Sequence, residues 1–152
     1  MGTTLSVSDL KMHAWRSFIT ANSRVFARLE AELIDEVGLP LSWYEVLLLL
    51  KESPEGQLRM HEFAETRLLS RSAATRLIDR METAGLVERV ACDVDRRGTW
   101  VHMTEHGWST FRRAAPVHVR GIAEHFTTLI DDDEATALAE LMARVLDRLE
   151  RS

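Results

Sequence analysis

A mainly α protein carrying one small β-hairpin is the fold class this sequence predicts, and three observations predict it. Long stretches near both ends repeat apolar residues at i, i+3, i+4 and i+7, the period of a one-sided helix. The middle holds two shorter helical segments joined by a tight turn. Immediately after them, two alternating segments flank a short polar loop rich in charge, the pattern of a hairpin.

The first helix is expected over Ser8–Val37, with Trp15, Phe18, Ile19, Val25, Phe26, Leu29 and Leu33 on one face and Asn22 as a polar interruption. Gly38 and Pro40 end it. A second helix is expected from Ser42, with Ser42 and Glu45 as a capping box and Leu41 against Val46 as a hydrophobic staple, as far as the Ser53-Pro54-Glu55-Gly56 turn. Gln57-Leu58-Arg59 reads as a very short strand, and Met60–Thr66 as a third helix with Phe63 and Ala64 inward. Leu68-Leu69-Ser70 turns the chain into a fourth helix, N-capped by Ser70, striped by Ala74, Leu77, Ile78 and Met81, and closed by Gly85. Val87–Ala91 and Thr99–Met103 pair around the Cys92–Gly98 loop. A fifth helix begins near Thr104 and is expected to bend at Pro116. Asp131 and Glu134 open a sixth, whose apolar stripe is Leu138, Leu141, Met142, Val145 and Leu149.

This order is a helix-turn-helix with a hairpin wing, set between long terminal helices. The expected organisation is one domain over 1–152, with a winged lobe at 41–103 and helices at 8–37 and 104–150 left over. Those terminal helices carry more apolar surface than a small lobe can cover. A symmetric two-chain interface is the economical way to bury it.

The chain has 152 residues, 45% of them hydrophobic and 28% charged, ordinary for a globular protein with a real core. The longest apolar run, Val46–Leu50, is far too short to cross a bilayer, and no export signal is visible near Met1. A single cysteine, Cys92, rules out an internal disulfide framework and suits the cytoplasm, where the protein is expected to reside. Net charge is −5, yet the window Leu58–Trp100 holds eight arginines against seven acids, so that middle is +1 and the remainder −6. All cations in the window are arginine, whose fork suits phosphates and guanine edges. Charge therefore permits DNA binding without establishing it.

On the fourth helix the face opposite the core stripe is Ser72, Arg76, Asp79 and Thr83, flanked by Thr75 and Arg80. Hydroxyls and guanidiniums near a helix N-terminus suit base edges and phosphates, and the helix dipole favours an anion there. Recognition helices read bases mainly from their first turns, which singles out Arg71, Ser72, Thr75 and Arg76. The hairpin tip adds Asp95, Arg96 and Arg97; an arginine extended from such a tip can enter a narrow minor groove. Asp95 is either a turn residue or an organiser that pairs with Arg76 or Arg80.

The segments LSWYEVLLLL, LRMHEFAE, LSRSAATRLIDRMETAGLVER and DVDRRGTWVHMTEHG, in that order and spacing, resemble the multiple antibiotic resistance regulator (MarR) family over essentially the whole chain. The resemblance implies a homodimeric winged helix-turn-helix regulator, a repressor on a palindromic operator of double-stranded DNA. Its first, fifth and sixth helices would form the dimer. The recognition helix, about 70–84, would lie in the major groove and the wing, 92–98, in the minor groove. Asp95 and Arg97 would be the family's paired wing acid and arginine, and Ser70–Arg76 its reading turn. Cys92 departs from the pattern, since many relatives carry proline or a charged residue there.

Such regulators often release DNA when a small aromatic or anionic molecule enters a crevice. Residues here that could line one are His13, Trp15, Arg16, Trp43 and Tyr44, since a cation with aromatics suits a phenolic carboxylate. No metal or cofactor is expected: His118 and His125 share a helix face and His102 and His106 flank a strand end, but none makes a converging ligand set. Cys92 beside Arg96 and Arg97 could sense peroxide, although a lone wing-base cysteine is more often a bystander. No phosphate-binding glycine loop, nucleophile elbow or carboxylate pair marks an enzyme.

Overall fold

Pro40 decides where the second helix starts. In the computed structural model, which describes residues 9–67, 69–91 and 98–151, Pro40 is the N-cap of that helix, with φ −59° and ψ 142°. Its carbonyl accepts from the Trp43 and Tyr44 amides, both at 3.0 Å. The helix therefore begins at Leu41, one residue before the expected Ser42, and the Ser42–Glu45 capping box is not made. Two long-range contacts replace it: Glu30 accepts the Leu41 amide, and Glu45 turns to Arg67.

The elements in chain order are α1 (Asp9–Val37), α2 (Leu41–Glu52), β1 (Gln57–Arg59), α3 (Met60–Thr66), α4 (Arg71–Thr83), β2 (Val87–Ala91), β3 (Thr99–Met103), α5 (Glu105–His125) and α6 (Asp132–Glu150). Short 3-10 turns follow α2 and α5. Gly38, at φ +71°, ends α1. The strands form one antiparallel sheet in the order β1-β3-β2, so the short first strand joins the hairpin by pairing with β3 (Leu58 opposite Val101). Across β2 and β3, Val87 faces Met103 and Arg89 faces Val101. Sequence reasoning gave both segments but not this pairing, which joins residues more than forty positions apart.

The chain divides into two compact units, one of residues 1–29 with 119–152, the other of residues 30–118. The second unit contains the helix-turn-helix and the sheet. Its core is Leu33, Val46, Leu47, Leu50, Phe63, Ile78, Met81, Val87 and Val101, all essentially solvent-free, which joins the end of α1 to α2, α3, α4 and the sheet. Ala114 and Phe111 of α5 are buried there too.

Each end of α4 is closed as its sequence predicts. The Ser70 hydroxyl accepts from the Ala73 amide at 3.2 Å. At the other end the Leu86 amide donates to Met81 and the Gly85 amide to Glu82, with Gly85 at φ +74°, which makes a Schellman closure. Beyond it, the Thr104 hydroxyl donates to the Gly85 carbonyl at 2.6 Å and accepts from the Gly107 amide at 3.0 Å. One side chain thus caps α5 and holds it against the end of α4. α5 continues through Pro116, which removes one amide donor without ending the helix.

In the other unit, Asp131 and Glu134 cap α6 reciprocally, the Glu134 amide donating to Asp131 at 2.9 Å and the Asp131 amide to Glu134 at 3.0 Å. α6 buries none of its residues. The expected apolar stripe of α1 is likewise open at Trp15, Phe18, Ile19 and Phe26, although Leu29 and Leu33 are buried.

Candidate nucleic-acid interface

The turn between α3 and α4 decides what α4 can offer. Ala74, Ile78 and Met81 lock one face into the core, with Leu77 half-buried at its margin, so the opposite face must point to solvent. Arg71, Ser72, Thr75, Arg76 and Arg80 are all exposed there. Ser70, Arg71, Ser72, Thr75 and Arg76 line one shallow open groove at the N-terminal end of the helix.

The hydroxyls are already oriented. Ser70 and Ser72 lie 3.2 Å apart, and the Thr75 hydroxyl donates to the Arg71 carbonyl at 2.9 Å. Among the described residues no carboxylate pairs with Arg71, Arg76 or Arg80. Arg71 therefore stands at the positive end of the helix dipole with Arg76 about one turn on, while Arg80 lies in the last turn of α4, and together they give this face a positive field that attracts phosphate oxygens.

A second, deeper cleft runs between α3 and α4 toward the hairpin, lined by Met60, His61 and Glu65 on one side and Arg71, Thr75, Asp79 and Arg89 on the other. Arg89 is the residue that sequence reasoning missed. Its guanidinium lies 2.6 Å from Asp79 and 2.6 Å from Glu82, and it donates to the Thr75 carbonyl at 3.2 Å. Its own amide donates to Glu82 at 3.0 Å. One signal was present: strand alternation puts Arg89 on the same inward face as Val87, and an inward charge requires a partner. Asp95, Arg96, Arg97 and the 92–97 part of the wing lie outside the described residues, and so does the expected pairing of Asp95 with Arg76 or Arg80.

The residues considered for a small effector are distributed unequally. His13, Trp15 and Arg16 are exposed on α1, with Trp15 next to Phe18 at 6.2 Å between ring centroids. Trp43 is half-buried, whereas Tyr44 is buried, stacked on Phe111 at 5.6 Å and against His118 at 4.4 Å. Burial raises the Tyr44 pKa above its ordinary value, with Glu52 adding to the effect. Burial also lowers that of His118, partly opposed by Glu45. His118 therefore belongs to an aromatic cluster with Tyr44 and Phe111. No helix among the described residues is long and apolar enough to cross a membrane.

A helix-turn-helix whose second helix offers an arginine-bearing N-terminal turn, backed by a three-stranded sheet, defines a winged helix-turn-helix protein. Residues 37–98 match the MarR family model. The chain is 34% identical to AbsC, a MarR family transcriptional regulator from Streptomyces coelicolor, over 98% of this chain and 100% of that one, with a TM-score of 0.92. It is 30% identical to Sco3205, a MarR family regulator of the same organism solved in complex with DNA, over 95% and 91% of the two chains, with a TM-score of 0.89. It is also 34% identical over 77 residues to the HTH-type transcriptional regulator YfiV of Bacillus subtilis (strain 168), 51% of this chain and 47% of that protein, so the match spans about half the length of that relative. The chain belongs to the MarR family, a family of DNA-binding transcriptional regulators and not of enzymes.

Proposed function

We propose that this protein is a homodimeric repressor that binds an imperfect palindrome in double-stranded DNA and is released by a small aromatic or anionic effector. The observation that carries the reading is the open N-terminal turn of α4, where Ser70, Arg71, Ser72, Thr75 and Arg76 share one groove. With Arg80 beside it, this turn suits a major groove, and the wing with Asp95, Arg96 and Arg97 suits the flanking minor groove. The structure of Sco3205 in complex with DNA supports DNA as the partner.

Dimerisation is supported by what one protomer leaves uncovered. Trp15 is 56% exposed and Leu149 67%, and Phe18, Ile19, Phe26, Leu141, Val145 and Leu146 are open as well. So much open apolar surface on α1 and α6 supports an interface with a second copy of the chain. Two copies joined there would place two lobes, each about 41–103, on successive grooves one helical turn apart. An effector that favours a different spacing of the lobes then weakens DNA binding by population shift. His13, Trp15, Arg16 and Trp43 are accessible to such a molecule; Tyr44 would take part only if its stack on Phe111 opened. Such a regulator works in the cytoplasm, beside the chromosome.

A mobility-shift assay on the DNA upstream of the protein's own gene tests this reading. The wild-type protein shifts that fragment, and the Arg76→Ala/Arg97→Ala protein loses the shift. A fragment bound equally by both proteins contradicts it.

A further inference from the structure

A carboxylate on a DNA-reading helix is a liability, and α4 carries two of them. Asp79 follows Arg76 by three residues, hence on the same face, and Glu82 follows Asp79 by three more. Each would meet a polyanion with repulsion. Both instead face Arg89, which projects from β2 with its side chain only 23% exposed and holds the two carboxylates at 2.6 Å each. Its third contact, to the Thr75 carbonyl, reaches the reading turn itself. Four bonds from one residue therefore tie the hairpin strand to α4 at three separate positions along the helix.

We propose that Arg89 is a positioning residue for DNA recognition: it masks Asp79 and Glu82 and fixes α4 against the wing stem without itself touching DNA. The proposal rests on the reading of α4 as the DNA-contacting helix. Lysine cannot substitute fully, because its single ammonium lacks the planar fork that serves two carboxylates and a carbonyl at once. Without the Arg89 side chain, the three-residue cluster changes from a net −1 to −2 beside the approaching phosphates, and the strand keeps only the backbone bond to Glu82 of its four bonds to α4.

The test is equilibrium binding to the upstream DNA across a salt series, with wild type, Arg89→Met, Arg89→Met/Asp79→Asn/Glu82→Gln, Asp79→Asn/Glu82→Gln and Arg76→Ala. Arg89→Met should weaken binding about tenfold or more while the slope of log K against log salt stays at the wild-type value, since no phosphate contact is lost. Neutralising the two acids should raise affinity more in the Met background than in the wild-type background, because only there are they unmasked. If Met at position 89 prevents folding, Arg89→Lys carries the same test. It should bind more weakly than wild type at unchanged slope and be restored by the two neutralisations. The proposal is overturned if Arg89→Met or Arg89→Lys binds like wild type, if the slope falls by about 0.9, as for a lost phosphate contact, or if the neutralisations give equal gains in both backgrounds. Should Arg76→Ala leave affinity and slope untouched, the reading of α4 itself fails, which is a separate outcome.

Discussion

Replacing Gly107 by alanine separates two physical expectations that differ in sign. Gly107 lies in the first turn of α5, where alanine is favoured over glycine by about 1 kcal/mol on helix propensity alone. A Cβ at that position would, however, fall inside the Leu86 carbonyl oxygen and lie 2.7 Å from Met103 Cγ and 3.1 Å from the Leu86 carbonyl carbon. The methionine can move; the backbone at Leu86 cannot easily do so. The Leu86 carbonyl also accepts the Thr104 amide at 3.1 Å, and the Thr104 hydroxyl is bonded to both Gly85 and Gly107. Relieving the clash pushes α5 from the end of α4 and strains those three bonds. Overpacking costs about 1–3 kcal/mol, and each bond weakened adds about 0.5–1.5 kcal/mol. Against the propensity gain, the net loss is at least about 1.5 kcal/mol, or roughly 3–6 °C or more in Tm for a chain of this length. Urea and thermal unfolding at one fixed protein concentration, followed by tryptophan fluorescence, measure it. A Gly107→Ala protein as stable as wild type, or more stable, would refute the close-approach reasoning and leave propensity in control.

Other expectations follow from the same packing. Ser70→Ala removes the hydroxyl that accepts the Ala73 amide and should cost about 1 kcal/mol in unfolding experiments, with DNA affinity falling as the first turn of α4 frays. His118 has its pKa lowered from 6.5 by burial against Tyr44, so as pH falls below 6.5 the unfolded chain takes the proton first. Wild-type stability should therefore decline from pH 6.5 down to the lower native value, and His118→Gln should show a shallower decline in acid denaturation curves. Val145→Arg/Leu149→Arg places two charges on the open face of α6 and should yield monomers by analytical ultracentrifugation; dimers of unchanged strength would show that this face is not the interface.

The sequence made local chemistry legible and left long-range choices open. The Ser70 cap, the Gly85 closure and the Asp131–Glu134 box each depend on residues within one turn, and all three form as the spacing predicts. The start of α2 does not. Ser42 and Glu45 have the right spacing for a box, but Glu30 on α1 accepts the Leu41 amide first and Arg67 draws Glu45 away. Partners eleven and twenty-two residues distant decide that contest, and no local pattern announces them. The same applies to Arg89, whose inward strand position hinted at a partner without identifying Asp79 or Glu82. The exposed turn of α4 was legible because its core stripe is strict: once Ala74, Ile78 and Met81 are inward, Ser72 and Arg76 have nowhere to point but out. The cluster of Tyr44, Phe111 and His118 was not, since it joins residues from α2 and α5 that periodicity treats separately.

The central claim, that two copies of α4 read duplex DNA together, is tested most directly by hydroxyl-radical and methylation-protection footprinting on the upstream DNA. The account predicts two protected major-groove patches about one helical turn, or roughly 10 base pairs, apart, related by a pseudo-twofold axis, with both patches lost together in the Arg76→Ala protein. A single protected patch, or protection that survives Arg76→Ala unchanged, would contradict it.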